Sequence, residues 1–253
     1  MLDITYPVII VSAKTAFRLM DFRFDMTGTE HVPESGGALM AFNHISYIDY
    51  VFGGYAAQPS NRLIRFMAKK EIFDHPVGGP LMRSFHHIPV DRADGQQSFD
   101  DAVDYLRRGE IVGIFPEATI SRSFEVKDIK TGATRIAAEA GVPLLPSIIW
   151  GTHRIFTKDH DRDLARGKTI IIDVGEPMYP TGEDVEAETA ELHRRMKQLH
   201  HDAVSRYPAE EQPPGSWWLP QSFGGSAPTL EEAAAMDVEE KRRRAERKAA
   251  RDT

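Results

Sequence analysis

The chain has 253 residues, 41% of them apolar, a net charge of −7 and no cysteine, which is enough for one compact domain with a sizeable core plus an appendage. The missing cysteines exclude disulfides, thiolate metal sites and a cysteine nucleophile. The charge is uneven: residues 237–253 hold seven Lys/Arg against five Asp/Glu, a tail near +2 on a body near −9, and an acidic body argues against nucleic acid as a partner because phosphate neutralisation needs an extended basic face.

In chain order, the run PVIIVSA at 7–13 is too short to span a bilayer. With Asp3 before it and Lys14 after it, it is also poorly built for a signal peptide. The segment from Tyr6 to Phe24 combines Val8, Ile9, Ile10, Phe17, Leu19, Met20 and Phe22 with Lys14, Arg18 and Arg23. This suits an interfacial amphipathic helix, or a helix packed on its own domain. Residues 1–24 are assigned to that helix, expected to touch a membrane without spanning it, and residues 25–207 to the main domain.

Within that domain GALMAF, LIRFMA, HIPV, EIVGIF, LLPSIIW and TIIIDV read as strands. Between them SFDDAVDYLRRG sets Phe99, Ala102, Val103 and Leu106 on one helical stripe and stops at Gly109, and TGATRIAAEAG stops at Gly141. From 185, Val185, Leu192, Met196, Leu199 and Ala203 recur at helical spacings. The alternation predicts an α/β fold, a single domain with a mostly parallel central sheet flanked by helices. From 208 to 253, Pro, Gly and Ser introduce a linker, followed by a charged helical tail opened by a Thr229/Glu232 capping box. Trp217-Trp218 and the tail are secondary candidates for a membrane or partner contact.

The stretch FNHISYIDY carries His44-x4-Asp49. A chain of this composition contains roughly one such pair by chance, and a second exists at His86 and Asp91. Along the strand HHIPVD an offset of five puts the second pair on opposite faces. Inside a regular helix the first pair would stand roughly 140° apart. Yet GALMAF is a strand and Ser46-x-x-Asp49 a helix start, so Asn43, His44 and Ile45 occupy the turn between them, where the two side chains can meet. Asp49 serves there either as a partner of His44 or as a capping acid on the helix dipole. FPEATISR, with Glu117, Thr119, Ser121 and Arg122, and HIPVDR, with Asp91 and Arg92, also follow strands. In a parallel sheet the three clusters share one cleft.

Asn43-His44-x4-Asp49, IPVDR ending in Arg92, FPEAT at 115–119 and VPLLPSII at 142–149 resemble, in order, the four sequence blocks of the glycerolipid acyltransferases typified by 1-acylglycerol-3-phosphate acyltransferase. The resemblance covers about 30 to 180. It implies transfer of a long-chain acyl group from acyl-CoA or acyl carrier protein, as co-substrate rather than cofactor, to a lysophosphatidate or lysophospholipid hydroxyl, in the cytoplasm and peripherally on the inner face of a membrane. His44 is then the base, imidazole being suited to proton transfer near neutrality, and Asp49 its orienting acceptor. Arg92, Glu117, Ala118, Thr119, Arg122, Lys69 and Asn43 are the expected substrate-binding residues. Backbone amides near 117–119 or near His44 are candidates for the oxyanion. The third block departs from the family's F-P-E-G-T-R-S at Ala118 and Ile120, so Arg122 is the substitute cation and an acceptor larger than lysophosphatidate gains weight. A hydrolase using Ser46 and a non-catalytic lipid-binding protein are the alternatives from other classes. No metal is expected, because His86-His87 and His200-His201 lack the spacing of a zinc motif. Such adjacent histidines commonly include one packed and one solvated ring.

Overall fold

The structure, a computed structural model, describes residues 5–76, 78–91 and 95–250. In chain order the elements are α1 (Thr5–Leu19), β1 (Arg23–Thr27), β2 (Ala38–Phe42), α2 (Asp49–Gly53), β3 (Ile64–Lys69), α3 (Lys70–Phe73), α4 (Gly78–Ser84), β4 (Ile88–Val90), α5 (Gly95–Arg107), β5 (Ile111–Ile114), α6 (Gly132–Ala140), β6 (Leu144–Trp150), β7 (Thr169–Val174), α7 (Val185–Arg206) and α8 (Leu230–Ala249).

The seven strands make one sheet in the order β1-β7-β6-β2-β5-β3-β4. Every neighbouring pair is parallel except β6 and β7. The run β6-β2-β5-β3-β4 therefore has all its carboxyl ends on one edge. The apolar strands follow from burial on both faces. In β2, Leu39 and Ala41 join Ala102, Ile136 and Leu192 of α5, α6 and α7, whereas Met40 and Phe42 join Phe17 of α1 and Phe52 of α2 on the other face. Gly141 caps α6 in the left-handed region at φ 67°, the conformation for which glycine is preferred there.

Two expectations change. The N-terminal helix ends at Leu19 rather than 24: Asp21 turns left-handed at φ 55°, and Arg23–Thr27 pairs with β7 as an edge strand. Phe17 of α1, Phe22 of the turn after it and Phe24 of β1 all converge on Phe52, at ring distances of 4.8, 5.7 and 6.2 Å. The Pro/Gly-rich stretch after 208 is no free linker either, since Trp218, Leu219 and Ala227 are buried and the Trp218 carbonyl sits 3.0 Å from His153 Nε2. Its composition limits it to short 3-10 turns at Ala209–Glu211 and Gln221–Phe223 but does not keep it from packing. α8 does open with the Thr229/Glu232 box, the Thr229 amide donating to Glu232 at 2.8 Å. Of the adjacent histidines, His200 is buried against the Phe124 carbonyl at 2.9 Å and His201 is exposed.

Among the described residues no helix is long and apolar enough to cross a membrane. α1 buries Phe17 and leaves Val8, Val11 and Leu19 about two-thirds exposed.

Candidate active site

β2 delivers the chain to the carboxyl edge of the sheet, and the turn at 43–48 reverses it into α2. Asn43 ends the strand side of this turn. Its amide donates to the Ile149 carbonyl at 3.0 Å and accepts from the Ile149 amide at 2.7 Å. Fully buried, Asn43 extends the sheet's pairing to β6 instead of facing a substrate, a correction to its expected binding role. Next, His44 Nδ1 lies 2.9 Å from Asp49 Oδ2, with the imidazole 22% exposed and the carboxylate wholly buried. The same Oδ2 accepts the Ile45 and Ser46 amides at 2.7 Å each, and Oδ1 accepts the Thr152 hydroxyl at 2.6 Å. The capping and the histidine-partner roles of Asp49 are thus one arrangement. Closing the turn puts the carboxylate against the imidazole.

Ser46 Oγ is buried and donates to the Phe156 carbonyl at 2.5 Å, so it is not an attacking hydroxyl held by His44. Nδ1 being taken by Asp49, Nε2 is the nitrogen left for chemistry, and no described residue bonds it. The imidazole face stacks on Phe115 at 4.4 Å.

The third block clamps the backbone of His44. Ser121 N donates to the His44 carbonyl at 2.7 Å, and Glu117 Oε1 accepts the His44 amide at 2.9 Å while Oε2 accepts the Lys127 amide at 3.3 Å. Burial pushes the Glu117 carboxyl up to about 8, against the opposing pull of the His44 amide and Lys127. Its two oxygens thus tie the His44 turn to the backbone at Lys127. The amides of His44, Ile45 and Ser46 are occupied by these carboxylates, and that of Ala118 by the Phe115 carbonyl at 3.0 Å, which removes them as oxyanion donors. Ala118 is left-handed, φ 61°, which is why glycine suits the position. Thr119 accepts from Lys127 Nζ at 2.6 Å. Ile120, where the family carries arginine, is buried in the core.

Arg122 is the largest departure. Only 8% of its side chain is exposed, and its guanidinium is shared by Asp159 at 2.5 Å, Glu240 at 2.8 Å and Asp237. Two of those acids come from α8. Lys69 ends β3 beside Val90 of β4, on the same edge of the sheet as His44. Arg92 lies outside the described residues. Of the decoy pair, Asp91 bonds Lys70 at 2.9 Å, and His86 stands in the turn before β4 with a left-handed φ of 55° rather than on the expected strand.

Thr152, Lys127 and Lys158 escaped the sequence reading. Thr152 lies two residues past the end of β6, so the strand-end rule that selected the other clusters also reaches it. Nothing local marks the two lysines. Beneath α1 an apolar cleft is lined by Ala13, Phe17, Val51, Tyr55 and Phe66. It stops short of His44, because Phe66 stacks on Phe115 at 5.7 Å and Phe115 on the imidazole.

An α/β domain that holds an imidazole on a buried carboxylate, in the crevice beyond its parallel strands and with Ser46 bonded elsewhere, has the arrangement that a general base acting on a bound hydroxyl requires. The chain belongs to the acyltransferase family, whose family model matches residues 23–150. It is 31% identical over 180 residues to the 1-acyl-sn-glycerol-3-phosphate acyltransferase of Bacillus subtilis (strain 168), covering 68% of this chain and 85% of that one. It is 29% identical over 168 residues to the chloroplastic 1-acyl-sn-glycerol-3-phosphate acyltransferase BAT2 of Brassica napus, covering 65% of this chain and 47% of the other. This chain thus spans about half of that plastid relative. Its fold is similar to the crystal structure of the 1-acyl-sn-glycerophosphate (LPA) acyltransferase PlsC from Thermotoga maritima, with a TM-score of 0.63, 24% identity and 78% of each chain covered.

Proposed function

We propose that this chain transfers a fatty acyl group from an acyl thioester, acyl-CoA or acyl carrier protein, to a hydroxyl of lysophosphatidate or a related lysophospholipid. The observation that carries this is the His44–Asp49 pair, 2.9 Å apart with the carboxylate buried and the imidazole reaching solvent. Asp49 holds the proton on Nδ1, so Nε2 accepts the acceptor's hydroxyl proton. The oxygen attacks the thioester carbonyl, the tetrahedral intermediate expels the thiolate, and the imidazolium returns the proton to sulfur. No acyl-enzyme is needed. No cofactor enters beyond the thioester co-substrate. The 1-acyl-sn-glycerol-3-phosphate named in the curated relatives supports a phosphate-bearing acceptor. The exposed Val8, Val11 and Leu19 of α1 support a peripheral seat on a membrane surface, on its cytoplasmic face, with the acyl chain drawn toward the cleft under α1.

A second reading, an acceptor with a larger headgroup, is favoured by Ile120. With an apolar core residue at the position of the family's arginine, a compact phosphate monoester loses one partner. Thiol release from a long-chain acyl-CoA, measured against lysophosphatidate and lysophospholipids of increasing headgroup size, separates the two. His44→Ala is expected to lower the rate by about 10² to 10⁴ with a folded protein. Undiminished turnover in that variant overturns the mechanism, and no thiol release with any acceptor leaves a non-catalytic lipid-binding protein.

A further inference from the structure

Three cations from two segments meet beside the His44 turn. Arg122 follows Ser121, whose amide holds the His44 carbonyl. Lys127 bonds Thr119 at 2.6 Å and presents its own amide to Glu117. Lys158 follows Thr157, whose hydroxyl donates to the Ile45 carbonyl at 2.6 Å, and Phe156, whose carbonyl holds Ser46. The cluster therefore flanks the His44 turn from the third block on one side and from the loop after β6 on the other.

Its counter-charges are mostly borrowed. Asp159 supplies one carboxylate from the loop of Lys158, whereas the other two, Asp237 and Glu240, come from α8, 115 and 118 residues along the chain from Arg122. Asp237 bonds Arg122 and reaches Lys127 and Lys158 at 3.5 Å each, and Glu240 bonds Arg122 and Lys158 at 2.8 Å each. The three basic side chains are only 8%, 16% and 13% exposed beneath this contact. Without the two α8 acids, three cations would face one carboxylate. That surplus suits a phosphate, which guanidinium and ammonium groups bind through several charge-assisted hydrogen bonds.

α8 itself is lightly held. Ala233 is the one buried residue among its described side chains, and its other ion pairs, such as Glu239 with Arg242 and Arg243, run along its own surface. The part-buried pairs to the cluster are costly to break with nothing in their place, and an incoming phosphate supplies the replacement anion while each α8 carboxylate regains solvent.

We propose that Arg122, Lys127 and Lys158 form a phosphate-headgroup site for the acyl acceptor, and that Asp237 and Glu240 of α8 occupy it intramolecularly until the headgroup displaces them. The inference rests on the acceptor being phosphate-bearing, as proposed above. α8 is then a self-inhibiting latch whose strength sets the apparent affinity for the acceptor, since a ligand binding only the open state is weakened by the closed population.

The test uses the full chain and a readout independent of turnover. Binding of glycerol 3-phosphate and of lysophosphatidate is measured by calorimetry, and amide exchange of residues 230–249 is followed with and without each, inorganic phosphate serving as the probe for a headgroup-free anion. The double variant Asp237→Asn/Glu240→Gln is expected to bind the headgroup about fivefold or more tightly and to exchange faster along α8 without ligand. The control Glu239→Gln/Glu246→Gln removes the same charge from α8 away from the cluster and is expected to behave as the parent. In the parent, ligand is expected to speed exchange of 230–249, and Arg122→Gln to abolish that response. Equal headgroup affinity in the double variant and the parent, an equal gain in the control, or α8 exchange indifferent to ligand each overturns the proposal. All of these readouts hold even if no acyl transfer is detected, so the failure of the catalytic reading is seen separately in the thiol assay.

Discussion

Asp49 shows how one side chain satisfies two demands. Its carboxylate accepts two backbone amides, the Thr152 hydroxyl and the imidazole, so the bonds that close the turn also aim the imidazole. Ala118 is the opposite case, a residue at odds with its backbone. A left-handed conformation costs an alanine about 1–2 kcal/mol, and glycine gives back part of that relief through its freer unfolded chain. Ala118→Gly is therefore expected to stabilise the protein by up to about 1 kcal/mol, read as a shifted denaturant midpoint. Glu117 makes a pH prediction. Its folded value is raised by burial from about 4.5 to about 8, so the folded state holds the proton more tightly and its contribution to stability, complete below about pH 4.5, is lost as pH rises through about 8. Relative to Glu117→Gln, the parent is expected to lose stability across that window in denaturation series at fixed ionic strength. A parent that instead gains on the variant from pH 5 to 8 contradicts the raised value.

At the scale of elements, the site depends on how β5 and β3 bring rings together behind the imidazole. Phe66, Phe115 and His44 form a continuous stack, and Gly113 of β5 leaves room for it. A Cβ at Gly113 would come within 2.6 Å of two Phe66 ring atoms and 2.8 Å of Ile64. Gly113→Ala is expected to cost about 1–3 kcal/mol by overpacking and, because the displaced ring backs Phe115, to lower turnover as well. Denaturant titration and thiol release on the same preparation check both. The strand-turn-helix around His44 was legible locally, from an apolar run ending in Phe42 and a helix start near Asp49. β1 was not, because the alternation of RFDMT is only five residues long and its first two residues merge into the amphipathic segment before it; it becomes a strand where β7 offers it an edge.

Over the whole molecule, the C-terminal quarter is tied to the body by contacts that composition hides. Trp218 packs near Trp150, His153 and Tyr207, and the Arg154 guanidinium lies 4.5 Å from its ring. By contrast Trp217 is 36% exposed and stacks on His160 at 3.7 Å. Trp218→Ala is expected to cost about 3–5 kcal/mol and Trp217→Ala much less, measured by thermal or denaturant unfolding. Equal losses would mean that the stretch does not pack as a strap. The sequence had paired the two tryptophans as surface candidates, since a WW dipeptide carries no mark of which ring turns inward.

The periodicity of apolar residues determined the α/β class, six of the seven strands and the helices α5, α6 and α7, because burial on two faces or one stripe imprints itself on adjacent residues. Strand ends determined where His44, Asp49 and Glu117 stand, because a parallel sheet gathers its carboxyl ends on one edge. What only the tertiary structure decided was partnership between distant segments. Asn43 turns to β6, Glu117 to the His44 amide, and Arg122 to acids of α8 more than 100 residues away. Local sequence records how a side chain is buried, but ion pairs and hydrogen bonds across the chain depend on distances that exist only after folding.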